Sequence, residues 1–298
     1  MLPPTHARCG SWSLLPRHAP HDTCLACASP RCSKFYQIWI NLPARSKFVE
    51  PHFKMLWGEN AVDYDFPSED GSAGQAHVTT VAGTLPKRSD GLGGKVPESP
   101  PPKSWAADPD NHVAIWVIRI DPGATWTLPA GPSFVTRSLF FYHGPKLEIS
   151  SEGGADKKVF TSHTNLQLVP DKGVVLRNPE HGTVKDAGIE LLLLQGRPID
   201  EPVVQHGPFV MNTRAEIMDA FQDYQAGKFG RWPWKSDAPV HPKTKGRFAR
   251  YADGREELPP SKGATKTTEA AAAPVAASGS GAGAGAGAGS AAAAEAEL

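Results

Sequence analysis

The feature that most restricts the fold is a train of short apolar segments between His112 and Ile199: "HVAIWVIRI", "SFVTRSLFFYHG", "KLEIS", "KVFTSH", "NLQLV", "GVVLRN" and "IELLLLQGRPI". Each is rich in β-branched or aromatic residues, which suit a pleated, half-buried surface, and Gly, Pro, Asp or Asn separates the segments. Strands this short and this closely spaced predict an antiparallel sandwich or barrel, with a jelly roll as the expected form.

One helix is predicted to close the unit. In "NTRAEIMDAFQDYQAGKFG", Thr213 followed three residues later by Glu216 makes a capping box, and Ile217, Phe221 and Tyr224 share one face. Gly227 suits the left-handed position just past the helix end. Beyond it, "RWPWKSDAPVHPKTKGRFARYADGREE" holds two tryptophans and few other apolar residues, so an arm wrapped over the barrel is expected. From about Leu258 onward the Gly/Ala-rich tail lacks the apolar surface to offset ordering entropy and is expected to be disordered.

Upstream, residues 1–34 show neither strand nor helix periodicity and read as an unstructured leader. "FYQIWINLPA", Phe35 to Ala44, alternates like a strand, and "AHVTTVAG" predicts a second one. The Gly/Pro-rich stretch from Thr84 to Ser104 reads as a linker or long surface loop.

The chain has 298 residues, 40% of them hydrophobic, which is ample for a core without covalent staples. Lys plus Arg and Asp plus Glu both number 31, so no basic excess advertises affinity for phosphate backbones, and direct nucleic-acid binding is not expected. No apolar run reaches the roughly 20 residues of a membrane-spanning helix. Cys9, Cys24, Cys27 and Cys32 all fall in the leader, so disulfides are not expected in the body. The leader's Arg8, Arg17, Arg31 and Lys34 against a single acid, Asp22, give it a faint transit-peptide character without a secretory apolar core.

Three strings together resemble the pirin family of two-barrel cupin proteins. "FYQIWINLPARSKFVEPHFKMLW" is similar to the segment that closes the family's first barrel, and "SWAADPDNHVAIWVIRIDPGATWTLP" to the entry of the second. "LLLLQGRPIDEPVVQHGPFVMNTRAEIMDAFQDYQAGKFG" resembles the family's characteristic ending. The resemblance implies an all-β chain: a cupin-type jelly-roll barrel with one C-terminal helix, preceded by a truncated remnant of a first cupin barrel. The expected division is a leader over 1–34, the remnant over 35–83, a linker over 84–104, the C-terminal cupin domain with helix and arm over 105–257, and a disordered tail over 258–298. It also implies iron in the family's first barrel, held by a His-x-His pair with a further His and Glu. Two family roles follow from it, transcriptional co-regulation in nuclei and quercetin 2,3-dioxygenase activity.

The matching ligands are absent from this sequence. Residues 1–34 contain His18 and His21 but no His-x-His. In the second barrel, counting from Gly123 puts the histidine slots near Pro129 and Gly131, and counting back from Gly144 puts the glutamate slot at Arg137. Between Pro122 and Leu147 there is no Asp, Glu or Cys, and His143 is the one histidine; after Pro170 to Gly173, Leu176 stands where a histidine is required. A cation at Arg137 would repel a dication. Other signals are weak. His18, His21, Cys24, Cys27 and Cys32 have a superficial zinc spacing without a surrounding knuckle. "GLGG", Gly91 to Gly94, follows no strand and lacks a Gly-Lys-Ser/Thr ending, so it reads as a flexible loop. Trp116, Trp126, Phe140, Phe141 and Tyr142 read as barrel core in preference to a flavonoid-sized pocket. His206, in "VVQHGPFVMNTRAEI", is expected to hydrogen-bond and fix the turn that feeds the helix.

No catalytic, cofactor-binding or metal-ligating residue is therefore assigned. The expected function is a metal-free cupin binding or regulatory scaffold with no cofactor; the alternative is an iron-dependent quercetin 2,3-dioxygenase-like enzyme whose metal-binding first barrel lies outside this sequence. A protein partner is expected at the exposed strand edges of the incomplete first barrel, with Phe35, Trp39 and Phe48 facing the missing half of its core. The expected compartment is cytoplasm or nucleus, with organelle import as the alternative.

Overall fold

Alternation along the strands sorts side chains onto two faces, and the computed structural model shows both faces buried in the centre of the larger sheet. It describes residues 35–154, 156–161, 163–180, 188–230, 232, 235–236, 241–251, 253–261 and 295–297. The leader, its cysteines and its histidines lie outside the described residues, as does most of the tail.

The strands are β1 (Phe35–Gln37), β2 (Val62–Pro67), β3 (Gln75–Ala82), β4 (Ala114–Ile120), β5 (Thr125–Leu128), β6 (Thr136–His143), β7 (Lys146–Ser151), β8 (Lys158–Thr161), β9 (Thr164–Leu168), β10 (Val174–Arg177) and β11 (Ile189–Gly196). Six of them form one antiparallel sheet in the order β2-β3-β4-β11-β6-β9, and four form a second in the order β5-β10-β7-β8. In register, Leu193 of β11 lies between Trp116 of β4 and Leu139 of β6. Those side chains, with Ile118, Phe141 and Leu191, meet Trp126, Leu128, Leu147 and Leu176 from the smaller sheet in one core. This is the all-β jelly-roll arrangement that the short, closely spaced strands predict.

Residues 62–82, placed by sequence before the linker, hydrogen-bond directly into this sheet through β3 and β4. Thr84–Ser104 accordingly connects two adjacent strands of one sheet. It is fastened to the barrel by buried Leu85, by Leu92 packed against the core, and by the Lys95 N–H, which donates to the Tyr64 hydroxyl at 2.9 Å. Gly83 before it cannot carry a side chain: φ is +77° and a Cβ would stand 2.3 Å from the Val113 carbonyl oxygen.

The opposite face of the large sheet has its own small core, Ala82, Ile115, Leu192 and Leu194, covered by Tyr36, Ile38, Ile40, Phe140 and Tyr142. Phe35–Ala44 was expected to be one strand, yet only Phe35–Gln37 is, pairing with the tail segment Glu295–Glu297. The period of two survives beyond it because Tyr36, Ile38 and Ile40 all point at the sheet. Phe35 and Phe48 are about half exposed and Trp39 is partly buried.

After β11 come the hairpin β12 (Val204–His206) and β13 (Phe209–Met211), then helix α1 (Arg214–Gln225). The predicted capping box is present: Thr213 Oγ1 accepts from the Glu216 N–H, and Glu216 returns the bond to the Thr213 N–H. Gly227 sits at φ +73° as expected. Ile217 and Ala220 are the helix's buried residues; Tyr224 is mostly exposed and touches Phe209 and Phe229 by its ring. Buried Lys47 ties this unit to the upstream chain, donating to Asn41 Oδ1 at 2.8 Å and the Val210 carbonyl at 3.0 Å. The arm then returns as the hairpin β14 (Ala249–Arg250) and β15 (Glu256–Glu257). Of its two tryptophans, Trp232 is exposed and Trp234 lies outside the described residues. Glu257 accepts from the Trp57 indole, Arg247 pairs with Glu59, and Tyr251 packs edge-on against Phe53.

Two predictions follow from this packing. Leu193, fully buried between two strands, should cost about 2–5 kcal/mol when changed to Ala, whereas exposed Met218→Ala should stay within about 0.5 kcal/mol in urea unfolding. On the outer face, the Tyr36 and Tyr142 rings meet at 5.3 Å and the Tyr142 hydroxyl donates to Glu190. Burial pushes the Tyr36 phenol up to about 12 and raises Tyr142 still further. A raised folded value means the folded state keeps a proton that the unfolded chain releases, so this stability is complete below pH 10.0 and drains as pH climbs toward about 12. In an alkaline ultraviolet titration, Tyr36 and Tyr142 should ionise only as the protein unfolds; Tyr36→Phe should flatten the alkaline loss of stability.

Candidate functional site

The barrel interior is where a cupin would hold its ligand, and alternation decides what points there. On β6, Leu139 and Phe141 belong to the barrel core, so Arg137 points inward too; on β11, Leu191 and Leu193 place Gln195 likewise. Arg137 and Gln195 face each other across the ladder at one end of the barrel. Arg137 is 1% exposed. Its Nη2 donates to the Pro129 carbonyl at 2.8 Å and its Nη1 to the Pro170 carbonyl at 3.2 Å. The Gly131 N–H also donates to Pro170, at 2.7 Å, and Gln195 Nε2 donates to the His112 carbonyl at 3.1 Å. The positions where histidine ligands were sought, Pro129 and Gly131, thus form a backbone collar around a guanidinium. Burial pushes Arg137 down to about 10.

The remaining inward residues are apolar: Ala114, Trp116, Ile118 and Ile120 on β4, Trp126 and Leu128 on β5, Val174 and Leu176 on β10. Leu176 is fully buried where a histidine ligand was required, and His143 sits exposed at the far end of β6. No cluster of three His, Cys, Asp or Glu side chains converges among the described residues. The donor set of this barrel does not fit the family's iron, which wants imidazole and carboxylate ligands and finds a guanidinium and hydrocarbon.

The aromatic residues split between the faces: Trp116, Trp126 and Phe141 fill the barrel, while Phe140 and Tyr142 lie on the outer face. "GLGG" is explained by backbone geometry, since Gly93 has φ +90° and a Cβ there would meet the Pro86 carbonyl at 2.3 Å. His206 occupies the β12–β13 turn and is exposed; it makes an edge-to-face contact with Phe221 at 5.3 Å. Ring packing, and not the expected hydrogen bond, is its link to the helix.

Sequence reasoning missed a second polar cluster, on the outer face at β3. His77 Nδ1 lies 2.5 Å from Asp65 and Nε2 3.3 Å from Asp121, which also meets Arg119. Both ring nitrogens are held by carboxylates. The alternation Val62-Asp63-Tyr64-Asp65-Phe66 was its available signal. A depression of about 250 Å³ on the outside of the smaller sheet is lined by Asp70, Thr125, Glu148, Ser150, Lys157, Val175 and Arg177. Its charges face one another: Lys157 meets Glu148 at 2.8 Å, and Arg177 lies 3.8 Å from Glu148 and 3.9 Å from Asp70. Hydrogen bonds from Ser72, Thr125 and Ser68 hold the Asp70 carboxyl well below the usual range. The depression is a solvated ion-pair network outside the barrel.

Because His206 contributes one exposed ring contact, His206→Ala should lower stability by about 0.5–1 kcal/mol and leave bound metal unchanged. Calorimetry with elemental analysis checks both; a loss of metal would place His206 in a site.

Residues 115–230 match the Pirin C-terminal cupin domain family. A pirin-like protein of Solanum lycopersicum is 31% identical over 204 residues, covering 68% of this chain and 59% of that protein. Pirin of Homo sapiens is 31% identical over 208 residues, covering 67% and 59%. A crystal structure of quercetin 2,3-dioxygenase from Acinetobacter baumannii is 24% identical, with a TM-score of 0.45 over 65% of this chain and 56% of that one. The chain spans about three fifths of the length of these curated relatives. With its antiparallel barrel, single closing helix and this match through β4 to the end of α1, the chain belongs to the pirin family, through a pirin C-terminal cupin domain.

Proposed function

We propose that this chain acts as a metal-free cupin scaffold that binds and regulates, working through a protein partner in the manner of transcriptional co-regulation. The observation that carries this reading is the inward-facing Arg137 in its carbonyl collar. A fixed positive charge occupies the barrel end where a dication and its carboxylate ligand would have to sit, and like charges at that range repel. Without a metal ligand set, this barrel supplies orientation and electrostatics but not the agent of oxygen activation. Partner contact would use β2 and β9, the outermost strands of the large sheet among the described residues, by adding a strand at their outer edges.

The second reading draws on bacterial relatives named for a quercetin 2,3-dioxygenase, of which this chain covers 58%. Under it, the ligands belong to the part of those relatives that this chain does not match. Elemental analysis and oxygen uptake with quercetin separate the two. The scaffold reading expects far less than stoichiometric iron and no quercetin-dependent oxygen consumption by the purified chain; one iron per chain with turnover would reject it.

A further inference from the structure

We infer that the Arg137 end of the barrel is a binding site for a small singly charged anion, a halide ion or the carboxylate group of a small acid. This deepens the reading of the barrel as a metal-free binding unit and rests on it. Arg88, Arg119, Arg177, Arg247 and Arg250 each meet a carboxylate, and their side chains are 32–59% exposed. Arg137 is 1% exposed, and its hydrogen bonds run to two neutral carbonyls. No carboxylate reaches it among the described residues, and its Nε–H has no acceptor. A guanidinium carries five N–H donors, so the Nε edge with an unused Nη hydrogen presents the fork that a carboxylate or a halide fills. A second donor without a partner, the Trp126 indole Nε1, is also buried in this core.

The surroundings favour a compact ligand of one negative charge. A buried cation without a counter-charge is strongly unfavourable, and a buried donor left unpaired adds to that cost; an anion relieves both at once. Arg137 pairs across the ladder with the apolar Leu168 on one side and with Gln195, a polar amide, on the other, and the core strands beneath it carry Leu128 and Val174. The Gly131 N–H and Arg137 Nη1 share the Pro170 carbonyl, and Nη2 takes the Pro129 carbonyl, so the segments at 129–131 and 170 meet at the guanidinium. The burial that pushes Arg137 down to about 10 still leaves it charged at neutral pH, so the attraction persists there.

The test uses the full chain, its Arg137→Met variant and two probes. Crystals are soaked in sodium bromide, and the melting of wild type relative to R137M is followed as sodium sulfate, whose divalent anion lies outside the proposed class, is replaced by sodium bromide or sodium acetate at constant ionic strength. The expected result is an anomalous bromide peak on the Arg137 guanidinium, with a rise in Tm of about 3 °C or more in wild type that R137M lacks. The probe that gives the larger rise identifies halide or carboxylate as the preferred source. Bromide found elsewhere, an adventitious ion only, or an equal rise in R137M overturns the site. Should R137M not fold, Arg137→Gln and the wild-type bromide map decide. Iron content is read separately, so a failed anion site and a failed metal-free reading give different results.

Discussion

A strand buried on both faces is the constraint from which the rest of this molecule follows. β11 sends Leu191 and Leu193 into the barrel and Leu192 and Leu194 to the opposite side, and all four are at most 1% exposed. The barrel covers one pair by closing on itself. The other pair needs a separate cover, because two leucines with Ile115 beside them form an apolar patch that water disfavours. Tyr36, Ile38 and Ile40 supply that cover, so the segment that begins at Phe35 packs on the barrel's sheet. The Tyr142–Glu190 hydrogen bond gives this second core a polar margin and orients the edge-to-face pair with Tyr36.

Inside the barrel the same alternation that builds the core also decides its chemistry. A β-strand delivers every second side chain to the interior, so the metal-binding capacity of a cupin is a property of a few inward positions. Here those positions hold apolar side chains, with Arg137 and Gln195 as the polar pair at one end. Arg137 does mechanically what a metal would do electrostatically: it draws two loops, around Pro129 and Pro170, toward one centre. The difference is that a guanidinium donates hydrogen bonds and accepts none, which turns the barrel end from a cation site into a donor site.

Much of this was legible in the sequence, and the failures have identifiable causes. Alternating runs gave β3, β4, β6 to β10 and β11, and the capping box gave the start of α1, because each is a local signal. β5, the short "TWTL", was overlooked because four residues carry too little periodicity. β2 was overlooked because its outward residues are acids and its last is proline, features that argue against a strand, although Val62, Tyr64 and Phe66 fill inward positions. Assigning residues 62–82 to a preceding domain followed the composition of the linker, which says nothing about where the strands on either side pair. At the site, the inward direction of Arg137 was readable from parity. The carbonyls that hold it, and the absence of a carboxylate beside it among the described residues, depend on loops distant in sequence and became visible only in three dimensions.

The flanking segments are tied to each other by hydrogen bonds between residues far apart in sequence. Lys47 crosses from the upstream segment to the Val210 carbonyl, Glu201 accepts from the Ala44 N–H and from Asn212, and Trp57 donates to Glu257 at the end of the arm. Burial pulls the Lys47 ammonium below its ordinary value, opposed by the charges of Glu201 and Glu216, and the ammonium donates to Asn41 Oδ1 and the Val210 carbonyl. Upstream and downstream chain thus hold each other across the barrel's outer surface. That belt is what keeps Tyr36, Ile38 and Ile40 over Leu192 and Leu194: the ordered flanks are the outer half of the core, and the barrel's chemistry is built on the inner half.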